Sequence, residues 1–178
     1  DDMRIVLTWN ATEKWSVTPE VPNDLDANLW VPADPLPVRI YWDAPYNCES
    51  TAFPSACLEF DVQNGYGPET ILIQEQRLGV YHYAVFNYGA ALAADYGIPQ
   101  VVPPIQQLDA LVQVYDSKGL LQEFRVEEAV GAGWWWHVFD IDAVSNPGVL
   151  IPVNVVTNEP PVPMLMAQLL GRLDFLRK

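Results

Sequence analysis

The most regular feature of the chain is a series of short segments in which apolar and polar residues alternate. In residues 24–31, apolar side chains from Leu25 to Val31 share one face, and the opposite face carries Asp24, Asp26, Asn28 and Trp30. A period of two is the pattern of a β-strand with one buried face. Similar segments predict strands at residues 3–9, 24–31, 38–42, 58–62, 69–74, 80–87, 108–115, 120–126, 134–141 and 149–156.

The predicted strands are short, and turn-forming residues separate them. Phe60 is predicted to point inward from the strand at residues 58–62. Residues 116–119 predict a hairpin turn, and residues 89–97 predict a short helix that ends at a glycine. Many short strands at close spacing are typical of all-β folds. We therefore expect a jelly-roll-like β-sandwich of two sheets over residues 1–157.

The C-terminal segment follows a different pattern. Its prolines make residues 158–163 a stiff linker, and residues 164–178 predict an amphipathic helix from apolar positions three and four apart. Exposure of an apolar tail of this kind to water is unfavourable. We expect the tail to pack either on its own sandwich or on a neighbouring subunit. The side chains expected to mediate self-association are Leu165, Leu169, Leu170, Leu173 and Leu176.

Composition and charge narrow the possible partners. The chain has 178 residues, half of them apolar, with 23 acidic and 9 basic side chains and a net charge of −14. This length suits one domain with a substantial core. Nucleic acids and anionic membrane surfaces both require a basic footprint, so we expect neither as a partner. The apolar runs are also too short for a membrane-spanning helix.

The two cysteines and one glycosylation sequon indicate whether the protein is secreted or intracellular. Cys48 and Cys57 lie nine residues apart around a loop-like segment, and they form either a disulfide or a pair of buried thiols. The remaining composition favours the disulfide and a secreted protein. Asn10-Ala11-Thr12 is the single glycosylation sequon, which makes Asn10 a candidate for modification.

A group of oxygen-bearing side chains suggests a calcium site. Asp24 and Asp26 share one face of a predicted strand, and Asn28, Asp61 and Glu69 could complete the set. Calcium takes six to eight oxygen ligands, and fixed carboxylates in an acidic protein repel each other without a cation. The alternative is a solvated polar face without a metal.

No catalytic motif is present, and the remaining candidates for chemistry are few. His82 and His137 lie within strand patterns, where they form either a shared metal or acid–base site or separate structural hydrogen bonds. Asp140 and Asp142 form a second, weaker Asp-x-Asp pair. We expect no enzyme unless both histidines converge with a carboxylate in a cleft.

The chain is rich in tryptophan, and aromatic rings can stack on sugars. Trp30 and Trp42 are the best candidates for an exposed stacking surface. The alternative is that each is an ordinary, half-buried strand aromatic. Trp134, Trp135 and Trp136 follow one another, so they alternate between faces and cannot form one flat platform.

Several segments carry a family resemblance. They are Asp24-Leu25-Asp26, Gly65-Tyr66-Gly67-Pro68-Glu69-Thr70-Ile71, Tyr81-His82-Tyr83, Asn87-Tyr88-Gly89 and Trp135-Trp136-His137-Val138-Phe139. Together they resemble the YfaP-like domain, a secreted bacterial β-sandwich of unknown function. The Asp-Leu-Asp segment and the later tyrosine-bearing strand are also similar to pre-peptidase C-terminal domains, some of which bind Ca²⁺.

The resemblance implies a β-sandwich fold and an extracellular setting. It also implies that Asp24 and Asp26 are the positions corresponding to the calcium-binding residues of the similar domains. Related sequences often have His where this chain has Asn28. That difference implies oxygen ligands rather than a site for a softer metal. The resemblance implies no activity, because function depends on a site rather than on a fold.

Two functions are compatible with these observations. The first is a non-catalytic extracellular structural subunit that self-associates, with a fibre as one form of assembly. An apolar tail or a strand that completes a neighbour's sheet would provide the interface. The second is a carbohydrate-binding module, either dependent on calcium or independent of it.

Overall fold

The predicted all-β sandwich of two sheets is confirmed by the computed structural model, which describes residues 2–10, 23–63, 66–97 and 103–162. Its described helices are α1 (Tyr88–Asp95) and the short 3₁₀ segments Ile105–Gln107 and Val126–Glu128. The strands are β1 (Met3–Thr8), β2 (Leu25–Val31), β3 (Val38–Ile40), β4 (Ala56–Leu58), β5 (Glu69–Ile73), β6 (Val80–Asn87), β7 (Leu111–Asp116), β8 (Gly119–Arg125), β9 (Val130–Gly131), β10 (Trp135–Asp142) and β11 (Leu150–Thr157).

The strands divide into a five-stranded and a six-stranded sheet. The first has the order β4-β5-β1-β7-β8, and the second has the order β3-β2-β6-β10-β11-β9. Neighbours are antiparallel, apart from the short parallel pair β9 and β11. Ile5 in β1 lies opposite Ile71 on one side and Val114 on the other. The N-terminal strand therefore pairs on both sides within its own chain.

The inner faces of the two sheets form the main core. Tyr83 and Phe139 stack with ring centroids 5.2 Å apart, and Phe124 from the other sheet stacks on Phe139 at the same distance. Buried aliphatic side chains such as Ile5 and Val112 fill the space between them. Full burial of one such side chain contributes about 1.5 to 3 kcal/mol, so this core is the main source of stability.

The outer face of the six-stranded sheet is also covered at one end. Trp30, Phe86 and Trp135 form a second cluster, against which Tyr88 and Ala91 of α1 pack. The helix starts after β6 because the Asn87 side chain accepts a hydrogen bond from Ala90 N at 3.1 Å. The face of β2 that alternation predicts to be polar is consequently buried as well.

The predicted strand at residues 58–62 is wrong in its position. The observed strand β4 ends at Leu58, and Phe60 is 74% exposed instead of pointing inward. Beyond β4, Glu59 N donates a backbone hydrogen bond to Thr70 O at 2.9 Å, and Val62 N donates to the Glu69 carboxylate rather than to a backbone carbonyl. The Glu69 side chain of β5 thus binds the backbone of the segment that follows β4.

The disulfide between Cys48 and Cys57 is confirmed, with Cα atoms 5.3 Å apart. It ties the loop before β4 to the edge of the five-stranded sheet. The predicted helix at residues 164–178 and its five leucines lie outside the described residues. Within the described part of the chain, no helix has the length and hydropathy needed to cross a membrane.

Candidate functional site

Three buried carboxylates meet where the two sheets approach each other. Asp24 immediately precedes β2 and Asp26 is the second residue of that strand in the six-stranded sheet, whereas Glu69 is the first residue of β5 in the five-stranded sheet. Each of the three is only 1% exposed. One oxygen from each side chain lies within 4.8 Å of the others, so all three could bind one cation.

Glu69 links the elements around this cluster. Its Oε2 accepts a hydrogen bond from Ala27 N at 2.7 Å, and its Oε1 accepts one from Val62 N at 3.1 Å. Burial raises the pKa of Glu69 well above its usual range, and the charges of Asp26 and Asp24 raise it further. A buried carboxylate in this setting binds either a proton or a metal cation.

Two further residues, one next to Asp24 in sequence and one within the influence of the Glu69 charge, have buried polar atoms. Asn23 immediately precedes Asp24, and its Oδ1 has no hydrogen-bond partner among the described residues. The Tyr83 hydroxyl is fully buried and also lacks a hydrogen-bond partner among them. Burial raises the pKa of Tyr83 well above its usual value, and the charge of Glu69 adds to this effect. Buried polar atoms are seldom left without partners, which favours an additional ligand at this point.

Two of the predicted ligands make other hydrogen bonds. Asn28 is buried, and its Oδ1 accepts hydrogen bonds from Arg39 Nε at 2.9 Å and Arg39 Nη2 at 2.6 Å. Since a guanidinium occupies that oxygen, Asn28 does not serve as a cation ligand in this arrangement. Asp61 is half-buried and accepts a hydrogen bond from Gln63 at 2.9 Å.

The residues of the acidic cluster fit calcium. Three carboxylates supply as many as six oxygen atoms, and calcium binds six to eight oxygens at 2.3–2.6 Å. A cation would neutralise the mutual repulsion that raises the pKa of Glu69.

A second cluster joins both histidines of the chain to one carboxylate. His82 Nδ1 lies 2.7 Å from Asp140 Oδ1, and His137 Nε2 lies 2.6 Å from the same oxygen. The two rings meet edge to face with centroids 5.8 Å apart. Burial raises the pKa of Asp140, but hydrogen bonds from His137 and His82 outweigh this and lower it to about 2.

A β-bulge makes this convergence possible. His137 and Asp140 are three residues apart, and in a regular strand such residues point to opposite faces. The register of β10 against β6 shifts between His137 and Phe139, which inserts Val138 as an extra residue. Both polar side chains therefore lie beside His82. The pattern of residues 134–141, apolar on both faces, gives no signal of this bulge.

The predicted stacking residues are packed inside the molecule. Trp30 is buried against Trp135, and the Arg39 guanidinium lies over both rings at 5.3 and 5.2 Å. Trp42 is half-buried, packs against the main core and meets Tyr41 edge to face. Neither tryptophan forms an open, flat surface for a sugar ring.

The sequon residue Asn10 lies directly after β1. Its Nδ2, the atom that a glycan would modify, donates a hydrogen bond to Asp109 Oδ2 at 3.2 Å. The backbone N–H of Asn10 donates to Leu108 O at 2.8 Å. Modification of Asn10 would therefore replace the contact with Asp109.

Comparison with known proteins supports the architecture. No family model matches this sequence, and no curated protein matches it. The chain is similar to the crystal structure of SAV2460, a protein of unknown function, with a TM-score of 0.61 and 14% sequence identity. The match covers 90% of this chain and 91% of that one. A likeness at this identity shows the shared fold alone.

Proposed function

We propose that the protein is a non-catalytic extracellular module in which a calcium ion joins the two sheets of the sandwich. The observation that carries this proposal is the meeting of Asp24, Asp26 and Glu69, which are buried and come from both sheets. Each carboxylate is costly to bury as an anion, and a divalent cation removes that cost. Calcium binding would therefore contribute directly to folding.

The extracellular part of the proposal is supported by the chemistry of the chain. The Cys48–Cys57 disulfide is stable in oxidising compartments, where it is most common. Extracellular calcium modules bind with dissociation constants on the order of 10⁻⁴ to 10⁻³ M, which suits the calcium concentration outside cells. The non-catalytic part rests on the sequence, in which no catalytic motif is present.

Thermal unfolding with calcium or with EDTA tests the proposal. We expect calcium to raise the midpoint in a saturable way, with a stabilisation of about 2.7 kcal/mol at one hundred times the dissociation constant. The Glu69→Gln variant should lose most of this response. In EDTA the variant lacks a buried charge but keeps a single acceptor oxygen for Ala27 N and Val62 N, so the calcium response is compared within each protein.

The matched control is Glu128→Gln, which removes the same charge from an exposed position. It should respond to calcium as the wild type does. The proposal is contradicted if calcium has no effect on the wild type. It is equally contradicted if Glu69→Gln and Glu128→Gln respond alike.

A second candidate function is self-association, and the structure favours one edge for it. Strand β8 lies at the end of the five-stranded sheet, with Leu120 50% exposed and Leu121 43% exposed. An open, apolar edge strand is a template for pairing with another chain. The N-terminal strand is already paired on both sides and is a poorer candidate.

Sedimentation velocity and negative-stain microscopy distinguish the routes to assembly. If β8 is the interface, Leu121→Lys should dissociate the assembly, whereas Leu78→Lys at an exposed position outside any strand should not. A chain that ends at residue 162 tests the predicted tail separately. A wild-type protein that stays monomeric at high concentration would exclude self-association.

Carbohydrate binding remains a less favoured alternative. The exposed aromatic residues nearest in sequence to the cluster ligands are Phe60 and Tyr66, rather than Trp30 and Trp42. A glycan array with and without calcium tests this alternative. Binding that disappears in Phe60→Ala or Tyr66→Ala would favour it over a purely structural role.

A further inference from the structure

We propose that His82, His137 and Asp140 form a second metal site, which binds a divalent transition metal such as Zn²⁺. The chain contains two histidines, and both place a ring nitrogen within 2.7 Å of one Asp140 oxygen. The candidate ligand atoms all lie within 4.8 Å of one another. This site goes beyond the calcium module and does not depend on it.

The ligand set selects the kind of metal. Two imidazole nitrogens and one carboxylate oxygen suit Zn²⁺ and its neighbours in the first transition series, whereas Ca²⁺ prefers oxygen ligands alone. In zinc sites with three protein ligands, the fourth coordination position is open to water or a small molecule. The side chains of His82, Asp140 and His137 are 26%, 21% and 17% exposed, so solvent can reach that position.

The geometry requires only a small adjustment. Zinc–nitrogen bonds of about 2.0–2.1 Å in a tetrahedron place neighbouring ligand atoms about 3.3 Å apart. The present nitrogen–oxygen distances, 2.7 Å for His82 and 2.6 Å for His137, are those of direct hydrogen bonds. The side chains would therefore separate by about 0.6–0.7 Å to admit the metal. Ring protons that now face Asp140 would move to the other ring nitrogens or to solvent.

The surrounding sheet fixes the position of all three ligands. His82 lies between Trp30 of β2 and Asp140 of β10 in the cross-strand register, and Asp140 lies next to Ile151 of β11. These neighbours belong to four adjacent strands in the interior of the six-stranded sheet. Ligands on paired strands move little, and a fixed arrangement lowers the entropy lost on binding.

The test uses the full chain without a histidine tag. Isothermal titration with Zn²⁺ should show one site per chain that persists when calcium is present in excess. Titration with Co²⁺ should give visible absorption bands whose intensity reports the coordination geometry. The variants His82→Ala and His137→Ala should each weaken Zn²⁺ binding by at least about tenfold, because each removes one of three protein ligands.

The conservative variant Asp140→Asn and the matched control Asp142→Asn complete the experiment. Asp140→Asn should also weaken binding. Asp142→Asn removes the charge of a half-buried carboxylate two residues away, keeps an oxygen that can accept from Val144 N and Ser145 N, and should bind as the wild type does. Circular dichroism of each variant confirms that it is folded, and His137→Gln replaces His137→Ala if that variant is not. The proposal is overturned if the folded wild type binds no Zn²⁺, or if both histidine variants retain its affinity. It is also overturned if Glu69→Gln, rather than the histidine variants, abolishes Zn²⁺ binding.

Discussion

At the scale of single residues, Arg39 determines the character of one end of the six-stranded sheet. Its guanidinium donates two hydrogen bonds to the buried Asn28 and lies over the rings of Trp30 and Trp135. Burial lowers the pKa of Arg39 to about 10, while Tyr41 and Asp26 oppose this change. The side chain therefore stays protonated at neutral pH and is held among aromatic faces.

Replacement of Arg39 should lower the stability of the folded state. We expect Arg39→Met to lower the free energy of unfolding by about 1 to 3 kcal/mol, because Asn28 Oδ1 would remain buried without a donor. Urea denaturation measures the change. Arg125→Met, at the exposed edge strand β8, is the matched control and should cost less than about 0.5 kcal/mol. Equal losses for both variants would contradict the role assigned to Arg39.

A second residue-scale prediction concerns Tyr88 at the start of α1. Burial raises its pKa from 10.0 to about 12, and the charges of Asp26 and Asp24 add to the shift. The folded state thus favours the neutral phenol, and this stabilisation is lost as the pH rises from 10 towards 12. The absorbance difference at 295 nm between wild type and Tyr88→Phe should titrate near the upper value. A midpoint near 10 would show that Tyr88 is not buried beside the carboxylates.

At the scale of elements, the irregular parts of the six-stranded sheet determine which groups are brought together. The bulge in β10 places His137 and Asp140 on one face, and the short strand β9 caps the end of β11. Gly131 in β9 has a φ of +96°, and a Cβ atom there would lie 2.3 Å from Val156 O. No other residue type fits this position without displacing one of the two strands.

We therefore expect Gly131→Ala to detach β9 from β11. The cost should exceed the roughly 1 to 2 kcal/mol that a left-handed backbone alone imposes on alanine. Gly148→Ala is the matched control, because Gly148 has a φ of +79° and a Cβ atom there would meet no other described atom within 4 Å. Urea denaturation of both variants separates the steric effect from the backbone effect. Identical losses would show that β9 and β11 are not in close contact.

At the scale of the whole molecule, the charge balance opposes the compact state. The net charge of −14 produces self-repulsion, to which the buried acidic cluster of Asp24, Asp26 and Glu69 adds. The sandwich compensates with a core between its two sheets, a disulfide and a second apolar cluster under α1. Stability should therefore depend on ionic strength even without calcium.

We expect the thermal midpoint in EDTA to rise as salt increases from 10 to 150 mM. The screening length falls from about 30 Å to about 8 Å over this range, which weakens repulsion across the molecule. Each kcal/mol gained corresponds to about 2 to 4 °C for a chain of this size. Sodium chloride and choline chloride should act equally, because screening does not distinguish the cations. A rise with only one of them would indicate specific ion binding instead.

The sequence by itself determined most of the strands and the class of fold, because alternation follows from the geometry of consecutive residues. Residues 80–87 were predicted with the observed bounds, and the spacing of Cys48 and Cys57 together with the composition favoured the disulfide that the structure contains. The alternation of polar and apolar residues in the sequence also predicted that Asp24 and Asp26 lie on the same face of one strand. These features depend on neighbours along the chain, which the sequence displays directly.

Only the tertiary structure decided which of these faces are buried and which side chains meet. Glu69 reaches Asp24 and Asp26 from the opposite sheet, and α1 covers a strand face that the pattern indicated to be polar. The histidines converge on Asp140 because of strand order and a one-residue bulge. Strand order and bulges result from packing between distant segments, and such contacts leave no local period in the sequence.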